Sequence, residues 1–300
     1  MFNVPILFLI FNRPETTRVA FERIRHIKPK YLYLAADGPR VDRPEDLILC
    51  QEARDIVLKN IDWECKVELL LREKNLGCGK AVSEAIYWFF EQVEYGIILE
   101  DDIIPNNTFF KFCEILLKYY QFDHRVMMIS GLNVSVKWKP EIQSYHFSNF
   151  GGIWGWASWR RAWQHYDFNI KLWQYEDVKA LIRNFFSFDE NTLLHRQKMY
   201  DDLYEGKIDT WDLQWGFSKL INSGLNIIPA TNLISNIGCG YDATHIKGEH
   251  PWANLPVMPI DEIRHPKCIM ADIAYDKKHL GINSDKVDRF NFIKKIFSLK

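Results

Sequence analysis

Short apolar runs alternate with helix-period stretches through the first half of the chain. Val4–Ile10 is an unbroken apolar run of strand length, and Pro14 opens a helical pattern to about Ile27, since proline suits a first helical turn. Tyr31–Ala36 predicts a second strand, stopped by Asp37-Gly38-Pro39. A helix follows from about Glu45 to Asn60, and Val67–Leu71 predicts the third strand. From about Lys80 to Val93, Ala81, Val82, Ala85, Ile86, Trp88 and Phe89 recur with the spacing of a buried helix face. Tyr95–Leu99 and Val126–Ile129 predict two more strands, with a helix near Phe109–Tyr120 between them. Strands separated by helices of this length imply βαβ crossovers and a mainly parallel sheet.

The second half changes character. Seven of the eleven tryptophans fall between positions 154 and 215, many of them in Trp154-Gly155-Trp156-Ala157-Ser158-Trp159. Helical patterns cover about 175–186, 190–205 and 211–222, and the tail from Gly238 reads as irregular and proline-rich. With no repeats and no low-complexity linker, the two halves are expected to share one core.

In a parallel sheet, ligands collect at the carboxyl ends of the strands. Three polar clusters fall there: Asn12-Arg13, Asp37-Gly38 and Glu100-Asp101-Asp102. An extended backbone would put Glu100 and Asp102 on one side and Asp101 on the other. Three acids after a buried strand repel one another unless a cation or donor network is present, and a hard divalent cation needs only one or two protein carboxylates beside phosphate oxygens and water. A solvated strand exit is the alternative. Arg13 offers a fork of donors to a phosphate beside a helix N-terminus, or is a surface arginine. Asp37 is placed to accept a base N–H, or simply makes an Asp-Gly-Pro turn.

Asn75-Leu76-Gly77-Cys78-Gly79-Lys80 has too few residues between glycines for a P-loop and lacks the dinucleotide glycine fingerprint. It reads as a helix start with small residues near a nucleotide, with Lys80 as a further candidate. Asp209-Thr210-Trp211-Asp212 is either an N-cap at Asp209 or a rigid mount for Asp212 as general base. Trp154 and Trp156, beside three glycines, are either core or exposed platforms for sugar rings. His245, in a glycine-rich stretch, is a structural histidine or part of a lid.

Composition narrows the classes. With 38 Lys and Arg against 39 Asp and Glu, there is no basic field to attract nucleic acid, so an anionic ligand must be held locally. A 47% hydrophobic content fills a large core. Six cysteines without a C-x-x-C pair suggest free thiols in a reducing cytosol and disfavour a zinc site. No window reaches transmembrane length, so a soluble protein is expected. Arg289–Lys300 interleaves apolar and basic residues; it is a docked helix or a peripheral contact with an anionic membrane.

Taken together, Ile98-Leu99-Glu100-Asp101-Asp102-Ile103-Ile104-Pro105 followed by Phe109-Phe110 resembles the Glu-Asp-Asp region of N-acetylglucosaminyltransferase I-like glycosyltransferases of GT-A fold. Pro5-Ile6-Leu7, Phe11-Asn12-Arg13-Pro14 and Asp37-Gly38 match the same pattern, while Trp154–Arg161 and Trp211-Asp212-Leu213-Gln214-Trp215 resemble bacterial family 2 type sugar transferases. The resemblance implies an α/β GT-A fold, with residues 1–130 as the nucleotide-sugar half, 131–285 as the acceptor half of the same domain, and 286–300 as a basic tail. It further implies Mn²⁺ or Mg²⁺ on Asp102, with His245 completing the metal or diphosphate site. Glu100 and Asp101 would position ribose and metal waters, Asp37 would meet the base near Asn12 or Arg13, and Asp212 would activate the acceptor. The donor would be a nucleoside-diphosphate sugar, with UDP favoured, and the acceptor a carbohydrate or lipid-linked sugar in surface polysaccharide or glycolipid synthesis. Glu100 stands where the usual D-x-D form has aspartate. A sugar-phosphate nucleotidyltransferase is the competing enzyme, though Phe11-Asn12-Arg13-Pro14 lacks the glycine loop such enzymes carry. A non-catalytic carbohydrate-binding protein is the competing class outside enzymes.

Overall fold

The computed structural model describes residues 2–238 and 251–282. In chain order the elements are β1 (Ile6–Ile10), α1 (Pro14–Ile27), β2 (Tyr31–Ala36), α2 (Asp46–Leu58), β3 (Lys66–Leu71), α3 (Cys78–Gln92), β4 (Tyr95–Glu100), β5 (Ile103–Pro105) and α4 (Asn107–Tyr119). Then come β6 (Val126–Ser130), β7 (Tyr145–Ser148), β8 (Trp156–Trp159), α5 (Arg160–Trp163), α6 (Glu176–Phe185), α7 (Glu190–Tyr204), α8 (Asp212–Ile221), β9 (Leu225–Pro229), β10 (Ile234–Asn236) and α9 (Ile273–His279).

Eight strands form one mixed, mainly parallel sheet in the order β3-β2-β1-β4-β8-β6-β9-β7, flanked by helices on both faces. Pairs β2–β3, β1–β2, β1–β4 and β6–β9 are parallel, as right-handed helical crossovers demand. β8 runs antiparallel between β4 and β6, so the tryptophan-rich segment is a central strand of the sheet. Backbone alternation sorts the core. Ile6, Phe8 and Ile10 of β1 join Phe21, Ile24 and Phe109 on one face, while Leu7 and Leu9 join Ile86, Phe89 and Trp156 on the other. Parallel strands covered on both faces need this near-continuous apolar sequence. A third core lies away from the sheet, where Trp173, Phe186 and Tyr200 meet Phe217 of α8.

The strand order reverses between β1 and β4, because β1 leads outward to β2 and β3 while β4 leads toward β8. Such a switch point opens a crevice at the strands' carboxyl ends. A small second sheet closes one side of it: β10 pairs antiparallel with β5, directly after the acidic run. Among the described residues, no helix is long and apolar enough to cross a membrane. The basic tail, Arg289–Lys300, lies outside the described residues.

Candidate functional site

At the switch point β1 ends at Ile10 and α1 begins at Pro14, which throws Arg13 back across the crevice. Its guanidinium is bonded to Asp101, and its Nη1 lies 3.0 Å from Asp102 Oδ2. The Phe11 N–H also donates to Asp101 Oδ2, at 3.3 Å. Asp101 is thereby buried, whereas Asp102 stays partly open. The acids do not alternate as a strand would dictate. The chain turns at 101–102, so all three face the same cleft. Glu100 Oε1 is buried with no hydrogen-bond partner. Burial, then the charges of Asp102 and Asp101, hold its carboxyl well above the ordinary range. Burial also raises Asp101, against the opposing pull of Arg13. Arg13, expected to face a phosphate, is engaged here as the counter-charge of the acidic run.

Asp37 leaves β2 into the same cleft. Its oxygens accept from the Gly38 N–H (2.9 Å), the Leu76 N–H (3.1 Å) and Asn75 Nδ2 (2.8 Å), tying the β2 exit to the loop before α3. Asn12 points elsewhere, donating to Asp46 Oδ1 at 2.6 Å. Asp46 is fully buried, and it also grips Arg40 at 2.6 Å. Arg40 thereby lies over the Phe11 ring and lines the cleft. The sequence reading missed Arg40, although it sits three residues past Asp37 at a predicted sheet end. It also missed Arg72, which enters the cleft from the end of β3 and pairs with Glu84 at 3.1 Å.

The second half of the chain also lines the cleft. Asp212 opens α8 and lines the same cleft as the acids, its carboxylate accepting from Thr210 Oγ1 and its charge contributing to the raised Glu100. The expected cap of this helix is elsewhere employed. Asp209 instead crosses to α3 and accepts from the Cys78 N–H (3.1 Å) and the Gly79 N–H (2.9 Å). A carboxylate at a helix N-terminus is favoured by the free N–H groups and the helix dipole. Gly77 makes the approach possible with φ +83°, and a Cβ on Gly79 would lie 2.6 Å from the Thr210 carbonyl oxygen. The small-residue start of α3 thus receives an internal anion. Lys80 is not in the cleft; its ammonium is mostly exposed and faces Glu84 one turn on.

The two tryptophan candidates separate. Trp154 lines the cleft. Trp156 corrects the expectation of an exposed platform: it is completely buried, with Trp211 stacked at 5.7 Å and Trp163 at 6.1 Å. Alternation along β8 turns its indole into the sheet-helix interface, where an aromatic ring gains most from burial. His245 lies outside the described residues. The chain reaches that segment through Gly238, whose backbone packs so close to Asp102 that a Cβ there would collide with the carboxylate.

The cleft is about 410 Å³, ample for a nucleotide. Among the described residues, no three His, Cys, Asp or Glu side chains converge to hold a metal unaided. A cation arriving with a diphosphate asks less of the protein, namely one or two carboxylates. The unpaired Glu100 Oε1 and the partly open Asp102 fit that smaller demand.

No family model matches the chain, and no curated protein is similar to it in sequence. Three solved structures are similar to it in part, each at low identity. Mannose-1-phosphate geranyltransferase from Thermus thermophilus is 10% identical, with 80% of this chain and 77% of that one covered, at a TM-score of 0.37. Mouse xyloside xylosyltransferase 1 is 11% identical, with 73% and 81% covered, at 0.35. HddC from Yersinia pseudotuberculosis is 11% identical, with 54% and 78% covered, at 0.31.

Proposed function

We propose that this protein is a glycosyltransferase that binds a nucleoside-diphosphate sugar at the β1/β4 switch point and transfers the sugar to a hydroxyl acceptor. The observation carrying this reading is one cleft lined by Asp37, Arg13, the Glu100-Asp101-Asp102 turn and Asp212. Asp37 and Asn75 frame the end where a base would lie. Glu100 and Asp102 would hold Mn²⁺ or Mg²⁺ together with the diphosphate, and the ion would supply charge neutralisation for the leaving nucleotide. Asp212 supports the role of base because it is mounted on the first turn of a helix, with one oxygen engaged by Thr210 and the carboxylate facing the cleft. One base in the same cleft implies direct displacement with inversion. Trp154 would flank the sugar. The loop after β1 contains no glycine turn, and its arginine is bound to carboxylates, which weighs against nucleotidyl transfer.

Calorimetry with UDP, GDP and dTDP, each with and without Mn²⁺, tests the reading. One nucleotide should bind, at least ~10-fold tighter with the metal. Asp102→Ala should abolish that enhancement, and Asp212→Asn should retain nucleotide binding while losing transfer. Absence of binding by all three nucleotides, together with an inert Asp102→Ala change, would sink it.

A further inference from the structure

Behind Trp154 lies a second cavity of about 310 Å³, which shares Ile153, Trp154 and Asp212 with the first. Its lining carries three basic side chains from three helices: Arg196 of α7, Lys219 of α8 and His279 of α9. Asp212 is the only carboxylate among its described lining residues. Arg196 makes no ion pair with a described residue. Its guanidinium lies 6.0 Å from the Phe150 ring centre and 5.9 Å from that of Phe186, and its Nε is buried without a hydrogen-bond partner. His279 stacks on Phe150 at 5.9 Å, and its Nδ1 is also buried and unpartnered. Lys219 is buried, with its ammonium 2.5 Å from Asn226 Oδ1 and over the Trp215 ring.

Arg196 Nη1 has only the weak acceptor Met199 Sδ, at 3.6 Å. A buried guanidinium without a carboxylate and a buried ring nitrogen without a partner are costly, and an anionic ligand would satisfy both. Burial, then the charges of Arg196 and Lys219, lower His279 to about 4, so its imidazole is neutral and offers a ring N–H beside the two cationic side chains. α8 measures the spacing. Asp212 and Lys219 are seven residues apart, two turns on the same helix face, which is about 10 Å along the axis. That is roughly the length of a disaccharide.

We propose that the second cavity is the acceptor subsite and that it takes an acceptor carrying an oxyanion, a sugar carboxylate or a sugar phosphate. The anion would meet Arg196, Lys219 and His279 while a hydroxyl of the same molecule lies at Asp212. This rests on the reading of Asp212 as the base of a sugar transfer.

The test is calorimetry on the full chain with methyl glucuronoside, glucose phosphate and methyl glucoside, alongside UDP with Mn²⁺. At least one anionic probe should bind at least ~10-fold tighter than methyl glucoside. Which one binds identifies carboxylate or phosphate as the source of the charge. Arg196→Met and, independently, His279→Gln should weaken that binding by ~10-fold or more and leave UDP affinity unchanged. Equal binding of the neutral glycoside, or anion binding indifferent to both substitutions, overturns the subsite. Nucleotide binding without anion binding refutes the subsite and spares the transferase; anion binding without nucleotide binding does the reverse to the donor reading.

Discussion

Asp101 and Asp102 adjoin in sequence and share one arginine, yet their burial assigns them different work. Asp101 is 2% exposed and receives both the Arg13 guanidinium and the Phe11 N–H, so it holds the β1 exit against the β4 exit. Removing one partner of a buried ion pair leaves an uncompensated charge, a loss of about 3–5 kcal/mol in well-buried cases. Asp101→Ala should cost about 2–3 kcal/mol in urea unfolding, less than that range because Arg13 retains Asp102 and some solvent. Asp102→Ala should cost under about 1 kcal/mol, because its partner is partly exposed. Equal destabilisation by the two would contradict this division.

Among the elements, α3 shows best how the two halves of the chain depend on each other. Its first turn has no side-chain cap of its own, and the carboxylate that satisfies it comes from 130 residues away. Asp209→Ala should therefore destabilise the protein by about 1 kcal/mol, as loss of an N-cap does. Asp209→Asn should recover part of it, since an amide oxygen still accepts. Hydrogen exchange at Cys78 and Gly79 should speed up in the alanine variant, while exchange at the far end of α3 stays unchanged. Uniform acceleration along the helix would show that Asp209 supports the whole interface and not the helix start.

At the scale of the whole molecule, Lys219 links stability to pH. It is a buried lysine between α8 and the sheet, and burial, partly offset by Asp212, brings it down to about 7 from the ordinary 10.5. Between those two values the unfolded chain holds more protons than the folded one, so stability rises with pH across that window. It is lost as pH falls toward about 7, and below that the contribution is flat. Lys219→Met should remove this slope. The difference in unfolding free energy between wild type and variant, followed from about pH 7 to about pH 9, should shift toward the wild type as pH rises. A constant difference would mean that Lys219 titrates normally in the folded protein.

The parallel half of the fold was legible residue by residue. Apolar runs of strand length and helices of crossover length leave few arrangements, and Asp37 and the acidic run fall at strand ends in all of them. Ile6–Ile10, Tyr31–Ala36 and Tyr95–Glu100 lie where the pattern put them, because strands buried on both faces must be written in apolar residues. What lay beyond the pattern depends on partners distant in sequence. β8 is four residues long, and only its insertion between β4 and β6 makes it a strand and buries Trp156. Asp209 carries a capping signal for the helix next to it and caps another, since a carboxylate takes whichever free N–H groups the fold brings near. Arg13 reads as a free cation until the turn at 101–102 aims two carboxylates at it. Local periodicity thus determined the elements and the edge on which the chemistry gathers. Only the tertiary structure decided which charges meet there, because pairing energy depends on through-space distance and burial, neither of which is written at a single position.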